Sequence, residues 1–163
     1  MKLVRYGEVN AEKPGLIDPG GTLRDLSDHI SDIDGSMLGI ATLDRLSELT
    51  PENLPVVKGA PRLGACVGSV GKLICIGLNF HEHAKETGNP VPEHPIVFMK
   101  ATSAINGPFD DVVLPRGSQH SDWEIELGVV IGERAKYVDA ADALTHILIL
   151  TALLFRSELP WPM

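Results

Sequence analysis

The chain has 163 residues, 44% apolar and 22% charged, the balance of an ordinary globular protein with room for one substantial core or a small domain and part of another. A formal net charge of −8 and the lack of a Lys/Arg stripe argue against binding nucleic acid through its phosphates or docking on an anionic membrane. Cys66 and Cys75 are too few for a disulfide framework or a Cys-based zinc module, and their apolar neighbours predict buried free thiols in a reducing cytoplasm.

In chain order, "MKLVRYGEVNAEKPG" has basic residues but no apolar stretch behind them, so it does not read as a signal peptide. "KLVRYGE" and "EKPGLIDPGGTLRDLSDHI" predict short strands around a Pro-Gly-Gly turn. "ATLDRLSELTPENLP" sets Leu43, Leu46 and Leu49 at helical spacing, with Pro51 ending the helix. Residues 1–65 thus predict a small α/β N-terminal domain. "KGAPRLGACVGSVGK", rich in Gly and Pro, reads as a linker or loop. "KLICIGLNF" predicts a buried strand, and "HEHAKETG" a helical turn or two closed by Gly88. After the Pro-rich "NPVPEHP" come four predicted strands, "IVFMK", "DVVLP", "WEIELGVVIG" and "AKYV", and a short helix, "DAADALTHI". Strands joined by short irregular links predict an α+β, mostly-β catalytic domain starting near residue 70. The longest apolar run, "ILILTALLF" at 147–155, is far below the roughly 20 residues of a membrane helix. A cytoplasmic protein with no membrane partner is the expectation.

Three clusters carry possible chemistry. In "SDWEIELGVVIG", Asp122, Glu124 and Glu126 alternate with Trp123, Ile125 and Leu127, so the carboxylates share one strand face. Two carboxylates at i and i+2 suit a hard divalent cation held through oxygen; the same alternation describes a solvated sheet face. The apolar "LGVVIG" flank carries the strand into a core, where uncompensated charges are costly. In "GLNFHEHAKETG", His83 and Glu86 stand at i and i+3 on one helix face, the pattern of a carboxylate-steered general base and equally of a surface turn with mixed charge. His81, His83 and His94 offer a rival set of zinc ligands. Lys100 ends the apolar "PIVFMK", placed either to pair with a substrate carboxylate or to cap a solvated strand. His120 and His146 have no partner in the sequence pattern. Neither a phosphate-cradling Walker loop nor Gly-x-Ser-x-Gly is present.

Taken together and in this order, "KLICIGLNFHEHAKETG", "PIVFMKATSAINGPFDDVVLPRGS", "DWEIELGVVIGERAKYV" and "DAADAL" resemble the fumarylacetoacetate hydrolase family. The front segment resembles the small N-terminal domain of many bacterial members. The resemblance implies a mixed β-roll catalytic domain, incomplete in this chain, usually in a homodimer. It implies Mg²⁺ or Mn²⁺, with Ca²⁺ as a third option, held by two Glu and one Asp. The implied activity is metal-dependent hydrolysis, lyase cleavage or isomerisation of small β-diketo or 2-oxo carboxylic acids in catabolism, of the acylpyruvate, fumarylacetoacetate, ureidoglycolate or 2-hydroxyhepta-2,4-diene-1,7-dioate type. Motif by motif, Glu124 and Glu126 match the glutamate ligands, His83 and Glu86 the acid/base pair, and Lys100 a lysine at the rim.

The match breaks after "ADALTHI", where the family pattern leads to an Asn-Asp-Val whose Asp is the third ligand. Counted without a gap, Phe155 stands at that Asp position and Leu154 before it. The expectation is therefore the front part of a catalytic domain over residues 70–147 and a divergent tail over 148–163, from a frameshift or an early end of the gene product. Two readings stay open: a working metal-dependent enzyme, and a catalytically inactive remnant or interaction module of the same family.

Overall fold

The computed structural model describes the backbone of residues 1–158, and the side chains up to residue 151 together with Leu153. Positions 159–163 of the expected tail lie outside the described residues. Three strands open the chain: β1 (Lys2–Tyr6), β2 (Lys13–Ile17) and β3 (Leu23–Asp25). They form an antiparallel meander with Leu3 opposite Leu16, and Leu16 opposite Arg24. The predicted Pro-Gly-Gly turn joins β2 to β3. Its geometry is held by Asp18, which accepts the Thr22 N–H at 2.8 Å, while Arg24 Nε donates to its other oxygen at 2.8 Å. This explains how a carboxylate that is only 6% exposed is tolerated.

Helix α1 (Ile40–Ser47) buries Leu46. It stops short of Pro51, which instead opens a 3-10 turn over Pro51–Asn53; the extended backbone of Thr50 is what a following proline imposes. Leu16, Leu26, Ile30, Ile33, Leu38, Leu46 and Leu54 form the core beneath this meander. The Gly/Pro-rich stretch is a packed loop: Gly64 N–H donates to the Arg5 carbonyl, Gly68 N–H to the Ile33 carbonyl, and Leu63 bridges Tyr6.

Beyond it, β4 (Leu73–Gly77) pairs antiparallel with β5 (Ile96–Lys100), and helix α2 (His81–Glu86) lies between them in sequence. A long hairpin follows, β6 (Ser121–Ile131) with β7 (Ile147–Glu158), carrying an irregularity between Val130 and Ile131. Val130, Leu148 and Ile149 of this hairpin pack against the core cluster. Among the described residues the architecture is thus mixed α/β, with few helices and three separate antiparallel sheets.

Several expectations need correction. β4 is not buried: Ile74 and Ile76 are 56% and 44% exposed. "DVVLP" forms no strand, because no neighbouring strand pairs with it and Val113 lies 86% exposed. "AKYV" forms none either, since Tyr137 turns the backbone left-handed at φ 56°. The predicted short helix shrinks to a 3-10 turn over Ala143–His146. The cysteines are free as expected but only half-buried; burial pushes the Cys66 thiol upward. No helix among the described residues is long and apolar enough to cross a membrane.

Candidate functional site

Strand β6 inverts the usual relation between polarity and burial. Glu124 and Glu126 are half-buried, while Trp123, Ile125 and Leu127 on the other face are 70%, 62% and 66% exposed. Asp122 is exposed and accepts the N–H of Trp123 at 2.8 Å, the behaviour of a solvated neighbour. The register sets Glu124 opposite Phe155 and Glu126 opposite Leu153. Directly opposed residues of an antiparallel pair are the nearest across the ladder, with Cβ atoms about 4.5–5.5 Å apart. Phe155, whose side chain lies outside the described residues, therefore stands directly across the ladder from Glu124.

Among the described residues, no three of the His, Cys, Asp and Glu side chains gather closely enough to hold a metal ion. The zinc set on His81, His83 and His94 is overturned by this. His81 and His83, two apart on α2, project in nearly opposite directions, and His94 belongs to the loop before β5. The β6 carboxylates fit a hard divalent cation in kind but not in number, because two oxygen donors leave such an ion mostly hydrated.

The other candidates lie on the β4–β5 unit. The chain leaves β4 through Leu78, whose φ of 47° is a left-handed conformation that costs a bulky residue about 1–2 kcal/mol. It then enters α2, where only Ala84 is buried, so His83 and Glu86 both face solvent. Lys100 is half-buried and pairs with Leu73. This register puts Lys100 at the end of the hairpin away from Gly77 and α2, about 13 Å along the strand. His146 is half-buried, and its Nδ1 is buried without a hydrogen-bond partner among the described residues.

The sequence pattern gave no sign of a set of ion pairs that binds the front of the chain to the turn after β5. Arg62 donates from Nε to Asp110 Oδ1 at 2.7 Å and from Nη2 to Oδ2 at 2.5 Å, and from Nη1 to Glu12 at 2.9 Å. Arg5 pairs with Asp32 at 2.7 Å and approaches Glu12 at 3.6 Å. The Arg62 guanidinium, with the Gly107 N–H, holds the Asp110 carboxyl below the usual range. Burial pulls Glu12 upward, but its hydrogen bond from Arg62 and the charges of Arg5 and Arg62 outweigh this and leave it lowered. The clefts among the described residues include a shallow one of about 280 Å³ by His29 and Leu49 and another of about 630 Å³ by Leu23 and Arg62. None of His83, Glu86, Lys100, Glu124 or Glu126 lines either; His83 and Glu86 are exposed, and Lys100, Glu124 and Glu126 are half-buried.

Residues 72–155, just over half of the chain, match the sequence profile described as "Fumarylacetoacetate (FAA) hydrolase C-terminal". The chain belongs to the fumarylacetoacetate hydrolase family. Within the family, it is 54% identical over 147 residues to a protein of Burkholderia cenocepacia (strain HI2424) named as a hydrolase, an alignment covering 90% of this chain and 52% of that relative. A protein of Burkholderia multivorans, also named as a hydrolase, is 55% identical over the same length. A fumarylacetoacetate hydrolase from psychrophilic Exiguobacterium antarcticum superposes with a TM-score of 0.76 at 23% identity, over 97% of this chain and 56% of its own, which shows the fold. A Mycobacterium abscessus structure named as a 2-hydroxyhepta-2,4-diene-1,7-dioate isomerase gives 0.70 at 28%, over 97% and 53%. The chain spans about half the length of the curated relatives it matches.

Proposed function

We propose that this chain serves a hydrolase, lyase or isomerase reaction on a small β-diketo or 2-oxo carboxylic acid, with Glu124 and Glu126 as ligands of Mg²⁺ or Mn²⁺. The half-buried carboxylate pair on β6, inside the family match, carries this reading. Glu124 and Glu126 would hold a divalent cation through their carboxylate oxygens, and the chemistry it would supply there is Lewis-acid polarisation of the 2-oxo-carboxylate. His83, steered by Glu86, takes and returns the substrate proton, and Lys100 attracts a substrate carboxylate at the rim. A cytoplasmic homodimer built on a β-roll, with the small front domain ending near residue 65, completes the proposal.

The expected result is that Mg²⁺ or Mn²⁺ raises the melting temperature, by about 1.4 kcal/mol of stability at ten times the Kd. Glu126→Ala abolishes the rise. Where turnover of an acylpyruvate is measurable, His83→Ala lowers kcat by about 10²–10⁴.

A second reading, an inactive remnant or interaction module, draws on one observation: Phe155 stands opposite Glu124. A folded sample with no metal-dependent stabilisation and no metal-dependent turnover would decide for it.

A further inference from the structure

We propose that Arg62 is a positioning residue: by clasping Asp110 it ties down the stretch that follows Lys100 and fixes the root of the β4–β5 hairpin on the front of the chain. Arg62 gives Asp110 two parallel bonds, Nε to Oδ1 at 2.7 Å and Nη2 to Oδ2 at 2.5 Å. Its remaining Nη1 donates to Glu12 at 2.9 Å and to the Gly7 carbonyl at 3.3 Å. Behind Glu12 stands Arg5 at 3.6 Å, and Arg5 holds both oxygens of Asp32 at 2.7 and 2.9 Å. Asp32, Arg5, Glu12, Arg62 and Asp110 thus alternate in sign, and all five are half-buried. Isolated ion pairs on open surface hold little, but a two-pronged bond within a shielded row of alternating charge fixes a geometry. Asp32 directly precedes the fully buried Ile33, so the row is rooted in the front core.

β4 starts at Leu73 and β5 ends at Lys100, opposite each other, so the chain enters and leaves the hairpin at the same end. The entering side is secured by backbone: Gly64 N–H donates to the Arg5 carbonyl at 2.8 Å and Gly68 N–H to the Ile33 carbonyl at 2.7 Å. The leaving side is secured by Asp110. Among the described residues, the other hydrogen bonds of residues 101–117 run within that stretch, from Ala104 to Ala101, Ile105 to Thr102 and between Gly107 and Asp110. The Arg62–Asp110 pair therefore closes a loop between residues 48 apart, and that loop carries His83, Glu86 and Lys100. Among the described residues, none of those in or against the core cluster belongs to β4, α2 or β5, so no packing on that core fixes the hairpin instead. That Lys100 meets a substrate rests on the function proposed above; that Arg62 fixes where it stands does not.

The test uses the 163-residue chain, with amide exchange and acetylation by acetic anhydride both read by mass spectrometry. Asp110→Asn, nearly the same in shape, leaves Arg62 on Glu12 and opens the clasp alone. Arg62→Met removes the other partner, and the two together complete a double-mutant cycle. Arg62→Lys keeps the charge but cannot bridge both carboxylate oxygens. The expected outcome is exchange over residues 101–117 about tenfold faster in each single variant, with β1–β3 at the parent's rate. The double variant is no faster than the quicker single one, and Arg62→Lys falls between the parent and Arg62→Met. Acetylation of the half-buried Lys100 rises by about threefold or more, while the exposed Lys13 and Lys85 label as in the parent. Four results overturn the proposal: residues 101–117 that exchange as in the parent, β1–β3 quickening by the same factor, Lys100 labelling unchanged, or single effects that add in the double variant. Both readouts work without metal or turnover. A failed clasp therefore shows in the exchange and labelling, and a failed metal site shows only as missing metal-dependent stabilisation of the parent.

Discussion

Gly107 is buried where the turn after β5 meets the front of the chain, and its N–H donates to Asp110 Oδ2 at 2.7 Å. A Cβ at this position would overlap the carbonyl oxygen of Leu63 and crowd the Asp110 carboxylate at 2.8 Å. Backbone cannot move aside as a flexible side chain does, so Gly107→Ala is expected to destabilise by about 1–3 kcal/mol, read as a drop in the urea midpoint. The neighbouring charges give the pH dependence. Asp110 is lowered by Arg62 and the Gly107 N–H, Asp18 by the Thr22 N–H and Arg24, and Asp34 by the hydroxyl and N–H of Ser36. A carboxyl with a depressed folded value stabilises fully above its unfolded value of about 3.9 and loses that contribution as pH falls through the folded value. The urea midpoint is therefore expected to hold from pH 7 to about 5 and to fall below about 4. The deficit of Asp110→Asn relative to the parent is largest at pH 7 and shrinks over the same acid range. Tyr6 acts in the opposite direction. Burial, reinforced by the Asp25 charge, pushes its hydroxyl up to about 12, so its contribution is complete below about pH 10 and lost as pH rises through 12.

At the scale of elements, α2 and the two hairpins differ in what holds them. α2 has six residues, no side-chain cap at its start, and a single buried residue, Ala84. Its C-terminal end depends on Gly88, which adopts φ 69° and donates its N–H to the Lys85 carbonyl at 3.1 Å. Gly88→Ala meets open space but not an accessible backbone conformation, and is expected to weaken the helix by about 1 kcal/mol. Amide exchange at Thr87 and Gly88 should quicken while the global melting temperature hardly moves, since little of the core rests on this helix. The β6–β7 hairpin is long, but among the described residues those that pack against the core are Val130, Leu148 and Ile149, near one end. The periodicity of "DWEIEL" told which residues share a face, because alternation is a local property of extended backbone. It did not tell which face meets solvent. That depends on what lies across from each side, and here the apolar side is the open one.

In the molecule as a whole, stability is concentrated in the front part. Leu26 and Ile33 are fully buried, so Leu26→Ala and Ile33→Ala are each expected to destabilise by about 2–5 kcal/mol. Ile125→Ala, on an exposed face, should stay within about 0.5 kcal/mol of the parent. Urea midpoints of the three variants check this contrast, and equal losses would contradict it. Much of the fold was legible because its signals are short in range. The Asp18–Thr22 turn, Leu46 on its helix face and Gly88 at a helix end each follow from neighbouring residues. "DVVLP" and "AKYV" failed because strand composition is not enough without a partner strand or with a left-handed residue inside it. The Arg62–Asp110 pair was invisible for a related reason: its residues are 48 apart, and no local pattern links them.

By itself the sequence determined the family, through four blocks in order, and with it the candidate chemistry of His83, Glu86, Lys100, Glu124 and Glu126. Only the tertiary structure decided that His81, His83 and His94 do not converge, that Phe155 occupies the ladder position facing Glu124, and that Trp123, Ile125 and Leu127 of β6 and Ile74 and Val97 of the β4–β5 hairpin lie exposed. The physical reason is the same in each case. Residue type and spacing set what a segment can do, whereas convergence and burial depend on groups distant in the chain, which only packing brings together or leaves apart.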